Sequence, residues 1–272
     1  MVQFIRERNN QSIITKTDIQ MQEKEEKSVV NTTTENGGEE TLKYCYKHPH
    51  PSVTTDCVIF CFDKKDLNVL LIKRGVEPFK DAWAFPGGFL RMNESAEECA
   101  LRELKEETNL TPGHIEQFYT FTDVDRDPRE RVITIAYFAL IKKSEVEGGD
   151  DASEAQWFKV KDLPQLAFDH DYIFRKALIA LKQKIHFDPI GYDLLEEEFS
   201  IPELQRLYEG ILNAHFDRRN FRKKMLQLGI LEESKNNVKK KNKKGRSKNK
   251  KWRFILQKYE EMKTNHQFRI EF

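Results

Sequence analysis

The feature that most constrains this chain is a run of carboxylates that follows two glycines. It contains six glutamates and one arginine, Arg102; the glutamates are Glu94, Glu97, Glu98, Glu103, Glu106 and Glu107. Ser95 and Glu98 have the spacing of a capping box, which predicts that a helix begins at about Ser95. Asn109 tolerates the left-handed conformation that ends many helices, so the helix is predicted to end at Thr108.

Glu103, Glu106 and Glu107 are predicted to share one face of this helix, because residues three and four apart are neighbours on a helix. Like charges at this spacing repel each other by a few tenths of a kcal/mol per pair, roughly. Mg²⁺ or Mn²⁺ would offset the repulsion, since both prefer oxygen ligands. Gly88 permits close backbone approach, and its carbonyl can complete the coordination. The stretch therefore predicts a metal site for cleaving diphosphates, the alternative being a solvated, glutamate-rich surface helix.

Apolar runs on both sides of this helix predict a sheet. The expected strands are Thr54–Phe62, Leu67–Lys73, Ile115–Thr122, Arg131–Ile141 and Ala155–Val160. The run Arg131–Ile141 is apolar on both faces, which is typical of a central strand. A helix over His170–Ile185 is expected to close an α/β domain. His170 is either a general base or an ordinary residue at the start of that helix.

Beyond a joint at residues 188–191 the pattern becomes helical. Ser200 and Glu203 form a second capping-box pair, followed by an apolar stripe. A further helix is expected within residues 217–230, with Asp217 as its cap and with Phe221, Met225 and Leu228 on its buried side. Its opposite side carries the candidate DNA-binding residues Arg218, Arg219, Asn220, Arg222 and Lys223. A predicted strand over Lys251–Leu256 follows, and this order is that of a winged helix-turn-helix.

The charge is distributed unevenly. Residues 235–258 contain twelve Lys or Arg and no Asp or Glu, which leaves 34 basic and 45 acidic residues elsewhere, a net charge of −11. This asymmetry indicates contact with double-stranded DNA, in which Lys239, Lys240 and Lys241 bind phosphates. The alternative is a solvated lysine tail. Trp252 is expected to pack within the wing rather than stack on a base.

The remaining composition sets the expected organisation and location. Residues 1–42 are polar and are predicted to be disordered, residues 43–187 and 188–260 to form the two domains, and residues 261–272 a tail. No apolar run reaches membrane-spanning length, no signal-peptide core is present, and the cysteines lack metal or redox spacing. We therefore expect a cytoplasmic protein without membrane contact.

The carboxylate helix resembles the Nudix box. Gly88, Glu94, Arg102-Glu103-Leu104, Glu106-Glu107 and Leu110 have its spacing, and Asn109 replaces the usual glycine. The resemblance implies an α/β/α sandwich with a mixed sheet and hydrolysis of a nucleoside diphosphate linked to another moiety. It also implies that Glu103, Glu106 and Glu107 bind metal, that Arg102 orients them, and that Glu94 is the outer carboxylate.

A wider set of motifs is similar to bacterial Nudix-related transcriptional regulators, which carry a C-terminal winged helix. The motifs are Lys73-Arg74-Gly75, Trp83–Phe89, Arg126-Asp127-Pro128-Arg129, Ala136–Ala139, Ala167–His170 and Arg218–Arg222. This resemblance implies a homodimer that binds an ADP-ribose-like nucleotide sugar. Arg126 and Arg129 are candidates to clamp the diphosphate, or else pair with Asp125 and Asp127 in their own loop; Arg74 is a third candidate.

Three functions are consistent with these patterns. The favoured one is a ligand-binding regulator of transcription, with Mg²⁺- or Mn²⁺-dependent hydrolysis by the intact box as an additional activity. The second is a housekeeping Nudix hydrolase whose C-terminal domain serves dimerisation or RNA contact. The third is a sugar or nucleotide sensor without catalysis. The intact glutamates disfavour the third function, and the exposed Arg-Asn-Arg-Lys face disfavours the second.

Overall fold

A computed structural model of the chain describes residues 46–146, 148–149, 152–235, 250–264 and 269–271. Its contacts divide the chain into two units, Met1–Pro51 and Ser52–Phe272. Only residues 46–51 of the first unit are described, so the predicted disorder of residues 1–42 lies outside the described residues. Lys239, Lys240 and Lys241 lie outside them as well.

The second unit contains a seven-stranded mixed sheet. Its strands are β1 (Ser52–Phe62), β2 (Leu67–Arg74), β3 (Trp83–Ala84), β4 (Gly87–Phe89), β5 (Glu116–Phe121), β6 (Val132–Lys142) and β7 (Ala152–Lys159). The order is β3-β2-β1-β6-β5, with β4 paired to β1 and β7 paired to β2. β1 and β6 run parallel, and the remaining pairs of this sheet are antiparallel. β6 lies between β1 and β5, which confirms the predicted central strand.

Helices cover both faces of this sheet. Successive side chains of a strand point to opposite faces, so Val58 and Phe60 pack in the core that contains α2 (His170–Phe187). Cys57 and Ile59 pack in the core that contains Ala100 of α1 (Ala96–Thr108). The predicted α/β/α sandwich is therefore confirmed. Where the sequence predicts that a strand ends within Trp83–Gly88 and leads into a loop, the structure forms two short strands, β3 and β4.

The C-terminal part is a winged helix. It contains α3 (Gly191–Leu194), α4 (Ile201–Leu212), α5 (Arg218–Gln227), β8 (Leu231–Glu233), β9 (Trp252–Phe254) and α6 (Leu256–Thr264). β8 and β9 pair antiparallel, and Phe199 bridges to Trp252 on the other side of β9. Trp252 is buried, as expected for wing packing. The strand predicted over Lys251–Leu256 is shorter, because Ile255 already accepts the first helical hydrogen bond of α6, from the Tyr259 amide.

The two parts share one continuous core. Ile190 in the predicted joint is fully buried, and the same buried cluster includes Leu67 of β2 and Leu204 of α4. The Arg206 Nε donates to the Lys64 carbonyl at 2.9 Å, which links α4 to the β1–β2 turn. The winged helix is therefore packed on the sheet domain rather than joined by an open linker.

The segment predicted as a C-terminal tail also has structure. α6 continues to Thr264, so the predicted boundary after residue 260 falls within a helix. Ile270 is buried, and its amide donates to the His186 carbonyl at 3.0 Å. Among the residues that the structure describes, no helix is long and apolar enough to cross a membrane.

Candidate functional site

The glycine loop, which consists of Gly87 and Gly88, is positioned by the pairing of β1 with β4. This pairing places Gly87 opposite Asp56 and Gly88 opposite Thr55. A Cβ atom added to Gly88 would lie 2.4 Å from Oε1 of Glu103, so a larger residue would collide with that carboxylate. Gly88 thus permits the close approach between loop and helix that the sequence predicted.

Arg102 lies at the centre of the carboxylate cluster. Its Nε and Nη2 donate to the two oxygens of Glu94 at 2.8 and 2.6 Å. Its Nη1 donates to Glu103 at 2.6 Å and to Glu106 at 3.0 Å. These bonds from Arg102 lower the pKa of Glu94 to about 2, so Glu94 is a firmly ionised anchor for the guanidinium. One arginine therefore fixes three of the predicted carboxylates.

Glu107 points in another direction, toward the glycine loop. Its Oε2 accepts a hydrogen bond from the Gly87 amide at 2.8 Å. Burial raises the pKa of Glu107 to about 8 and raises the pKa of Glu103 as well. A bound cation would favour the ionised form of both carboxyls, because opposite charge lowers a carboxyl pKa.

The predicted metal ligands are of the right chemical type, but they are not assembled around one point. Glu103, Glu107 and Gly88 line one cavity, whereas Glu106 lies outside its lining. Within the described ranges, no group of three His, Cys, Asp or Glu side chains is placed to hold a metal ion. The physical reason is Arg102, which already occupies oxygens of Glu103 and Glu106. The oxygen donors fit Mg²⁺ or Mn²⁺, provided that these carboxylates turn away from Arg102.

The three candidate ligand-binding arginines line this same cavity, whose volume is about 410 Å³, within the usual size of a small-ligand site. Arg126 is bound by both oxygens of Asp169, at 2.7 and 3.0 Å. Arg129 is bound by both oxygens of Asp127, at 2.7 and 3.0 Å. The expected pairing of Arg129 with Asp127 is thus present, whereas Arg126 pairs with a residue distant in sequence rather than with Asp125.

Two aromatic rings complete the cationic side of the cavity. The Arg74 guanidinium lies 4.9 Å and the Arg129 guanidinium 5.5 Å from the centre of the Phe168 ring. Arg129 also lies 5.1 Å from the ring of Phe89. Phe168 has a φ of 51°, an uncommon backbone conformation for an aromatic residue. The two rings and the guanidiniums beside them form a surface suited to a planar base and a diphosphate.

His170 lies at the bottom of the cavity as a structural partner of the loop. Its Nδ1 accepts a hydrogen bond from the Phe85 amide at 2.9 Å, so the proton of the neutral ring is on Nε2. Burial lowers the pKa of His170 to about 3. The lone pair of Nδ1 is therefore occupied, which favours an ordinary residue at the start of the helix over a general base.

Asp56 is a cavity residue that sequence reasoning missed. It lines the cavity, it is 7% exposed, and burial raises its pKa to about 7. Its signal in the sequence is a single charged residue within the apolar strand TTDCVIFCF. Which residues lie near Asp56 depends on strand pairing and on the packing of α2, so the sequence alone does not show its role.

The surface of α5 has the polarity expected of a recognition helix. Phe221 and Met225 are buried, and the polar residues point outward: Arg218, Arg219, Asn220, Arg222 and Lys223 are all exposed. Asp217 caps the helix by accepting hydrogen bonds from the Arg219 and Asn220 amides at 3.1 and 3.0 Å. The Arg222 guanidinium lies 5.5 Å from the Trp252 ring centre, so it contacts the wing.

Comparisons with known proteins agree with this architecture. Residues 50–177 match the NUDIX domain, and residues 191–250 match the NrtR DNA-binding winged helix domain. The chain is 33% identical over 192 residues to the "ADPR responsive transcriptional repressor NtrR" of Acinetobacter baylyi, which covers 69% of this chain and 77% of the relative.

A further relative and a solved structure are also similar to this chain. An ADP-ribose pyrophosphatase of Methanocaldococcus jannaschii is 44% identical over 134 residues, covering 49% of this chain and 77% of the relative. The crystal structure of Shewanella oneidensis NrtR complexed with a 27mer DNA is similar with a TM-score of 0.62 and 29% identity, covering 76% of this chain and 95% of that one. The chain therefore belongs to the Nudix family, among the members that carry an NrtR-type DNA-binding winged helix domain.

Proposed function

We propose that this protein is a DNA-binding repressor of transcription that responds to ADP-ribose or a close nucleoside diphosphate relative. The observation that carries the proposal is that one folded unit contains both an arginine-lined cavity and an exposed basic helix. In that cavity Arg74, Arg126 and Arg129 would bind the diphosphate. The Acinetobacter and Shewanella relatives, described as an ADPR-responsive repressor and an NrtR crystallised with DNA, support this assignment.

DNA contact is assigned to two segments with different tasks. Arg218, Arg219 and Asn220 in the first turn of α5 would read base edges, since Arg and Asn pair with guanine and adenine. Arg222 and Lys223 would bind phosphates beside them. Lys239, Lys240 and Lys241 would add affinity that is independent of sequence. We further propose that the protein is a cytoplasmic homodimer, because such modules read two half-sites.

The domain boundaries remain part of this proposal. Residues 43–187 would bind the ligand, and the part that begins at residue 188 would bind the DNA and includes α6 up to Thr264. Because the two domains share a core, a ligand-dependent change in one can reach the other through packed side chains. Ligand and DNA would then change each other's affinity by the same factor.

Hydrolysis of the ligand is a second candidate activity, favoured by the intact set of box carboxylates. Gly88, Glu103, Glu106 and Glu107 would hold Mg²⁺ or Mn²⁺, with Arg102 and Glu94 positioning the carboxylates. The bound cation would neutralise the diphosphate and acidify an attacking water. The ADP-ribose pyrophosphatase of M. jannaschii supports this candidate.

Fluorescence anisotropy with genomic fragments near the coding region of the protein tests the regulatory function. We expect one fragment to bind more tightly than random duplex, and ADP-ribose to shift that affinity. The reciprocal measurement, ADP-ribose affinity with and without the fragment, should give the same factor. Binding no tighter than that to random duplex, with or without ADP-ribose, would contradict the proposal.

Product analysis with Mg²⁺ tests the hydrolase candidate. We expect ADP-ribose to give AMP and a sugar phosphate. Glu106→Gln and Glu107→Gln should each raise the activation barrier for hydrolysis by roughly several kcal/mol, because each replaces a charged metal ligand with a neutral side chain of the same shape. Wild-type turnover in both variants would exclude this site. An inactive wild-type protein across a broad nucleotide panel would leave a sensor without catalysis.

A further inference from the structure

The cavity contains a buried carboxyl that neither the metal site nor the diphosphate clamp uses. Asp56 lies on β1 opposite Gly87, and only 10% of its side chain is exposed. A Cβ atom added to Gly87 would lie 2.9 Å from Oδ1 of Asp56, so the carboxyl faces the glycine loop at very short range.

Arg126 and His170 lie close to Asp56 without donating a hydrogen bond to it. Nη2 of Arg126 is 4.0 Å from Oδ2 of Asp56 and is bound instead by Asp169 at 2.7 Å. Nε2 of the neutral His170 is 3.7 Å from Oδ1. Both distances exceed that of a hydrogen bond. Thr134 supplies a hydrogen bond from its hydroxyl, which is weak compensation for a carboxyl whose burial raises its pKa to about 7.

Charge divides the cavity lining into two parts. Arg74 and Arg129 stack on Phe168 and offer cationic groups to phosphates. Asp56 would repel a phosphate at its own position, and it would accept hydrogen bonds from neutral donors such as hydroxyls. A carboxylate accepts two parallel hydrogen bonds, and adjacent hydroxyls of a pentose donate two at matching spacing.

We propose that Asp56 binds the vicinal hydroxyls of a pentose in the ligand and thereby selects nucleoside diphosphates whose pentose carries a free diol. This inference rests on the proposed function, since it requires a nucleoside diphosphate sugar in the cavity. ADP-ribose offers such hydroxyls on either of its two pentoses. Asp56 is then a specificity-determining residue that touches the ligand and takes no part in the chemical step.

Isothermal titration without divalent metal tests the proposal with three probes: ADP-ribose, 2′-deoxy-ADP-ribose and 2″-deoxy-ADP-ribose. The wild-type protein should bind ADP-ribose about tenfold more tightly than one deoxy analogue, and that analogue identifies the pentose. Asp56→Asn should reduce this ratio to within about twofold. The control Asp162→Asn, at an exposed position outside the cavity, should keep the wild-type ratio.

The ratio is measured within one protein, so a general loss of affinity or stability cancels. Asp56→Ser provides a second variant if Asp56→Asn unfolds, and melting curves by circular dichroism check both. An unchanged ratio in the folded variants, or a wild-type protein that binds all three probes equally, would overturn the inference and leave the proposed function intact. A wild-type protein that binds none of the probes would overturn the proposed function as well.

Discussion

The guanidinium of Arg126 is bound by both carboxylate oxygens of Asp169, with Nη2 to Oδ1 at 2.7 Å and Nε to Oδ2 at 3.0 Å. Asp169 is the N-cap residue of α2, yet its side chain makes no capping hydrogen bond because Arg126 occupies it. This ion pair therefore connects the cavity to the start of the helix whose other end adjoins the winged helix.

Asp169→Ala should destabilise the protein by about 3–5 kcal/mol, because the buried Arg126 loses its bidentate partner and keeps only Asp56, at 4.0 Å, as a neighbouring carboxylate. The Arg126 side chain is only 5% exposed, and no cap is lost by the substitution. Urea unfolding measures the loss. Glu232→Ala is the control, since its partner Arg253 is 37% exposed, and it should cost no more than about 1 kcal/mol. Equal losses in the two variants would show that the Arg126 pair is not effectively buried.

Asn109 ends α1 with a φ of 59°, which confirms the predicted left-handed stop. Asn109→Val should destabilise by about 1–2 kcal/mol, because a β-branched residue is strained in this conformation. Asn109→Gly should be neutral or slightly stabilising. Thermal melting measures the stability of both variants. Asn213→Val is the reference for the strain of a valine in this conformation, because Asn213 lies at the equivalent left-handed end of α4, where φ is 52°. An Asn109→Val variant as stable as wild type would mean that α1 continues through this position.

His170 should make the protein less stable in acid. Burial lowers its pKa to about 3, so below the ordinary value of 6.5 the unfolded chain gains a proton that the folded chain does not. Stability from this group is thus present above pH about 6.5 and is lost as the pH falls toward 3. Asp56 acts with the opposite sign, because its raised pKa of about 7 favours the folded state as the pH falls.

Comparison of wild type with His170→Asn isolates the histidine contribution, because Asp56 is present in both. Asparagine keeps an acceptor for the Phe85 amide. Between pH 7 and pH 5 the wild-type protein should lose about 2 kcal/mol more unfolding free energy than the variant. Urea titrations at several pH values measure this difference. Parallel pH profiles of the two proteins would show that His170 gains a proton as easily in the folded chain as in the unfolded chain.

The recognition helix and the wing should respond differently to substitution. Arg219→Ala or Asn220→Ala should weaken binding to the cognate site by about 1–3 kcal/mol relative to random duplex, with little change in salt dependence. Joint substitution of Lys239, Lys240 and Lys241 by Ala should weaken binding to all duplexes alike and flatten the salt dependence. The cognate site should be a near-palindrome with half-sites about one helical turn apart, or a multiple of that. Anisotropy titrations at several salt concentrations separate these effects, and equal losses on both duplexes for Arg219→Ala would contradict base readout.

Short-range sequence patterns were sufficient to predict where α1, α4 and α5 begin and where α1 ends. The capping boxes at Ser95 and Ser200, the left-handed stop at Asn109 and the cap at Asp217 all form as predicted. Each depends on residues within about four positions of one another, so the backbone of a single turn determines it. The polar face of α5 was predictable for the same reason, whereas the Nudix box was identified from its spacing over Gly88–Leu110.

The contents of the cavity required the tertiary structure. Arg126 and Asp169 are 43 residues apart, and Phe85 and His170 are 85 apart. No periodic pattern connects such residues, because their contact depends on strand order and on how α2 packs against the sheet. The sequence determined which groups were available, whereas the pairing of β1 with β4 and β6 decided that Asp56 would be buried beside them.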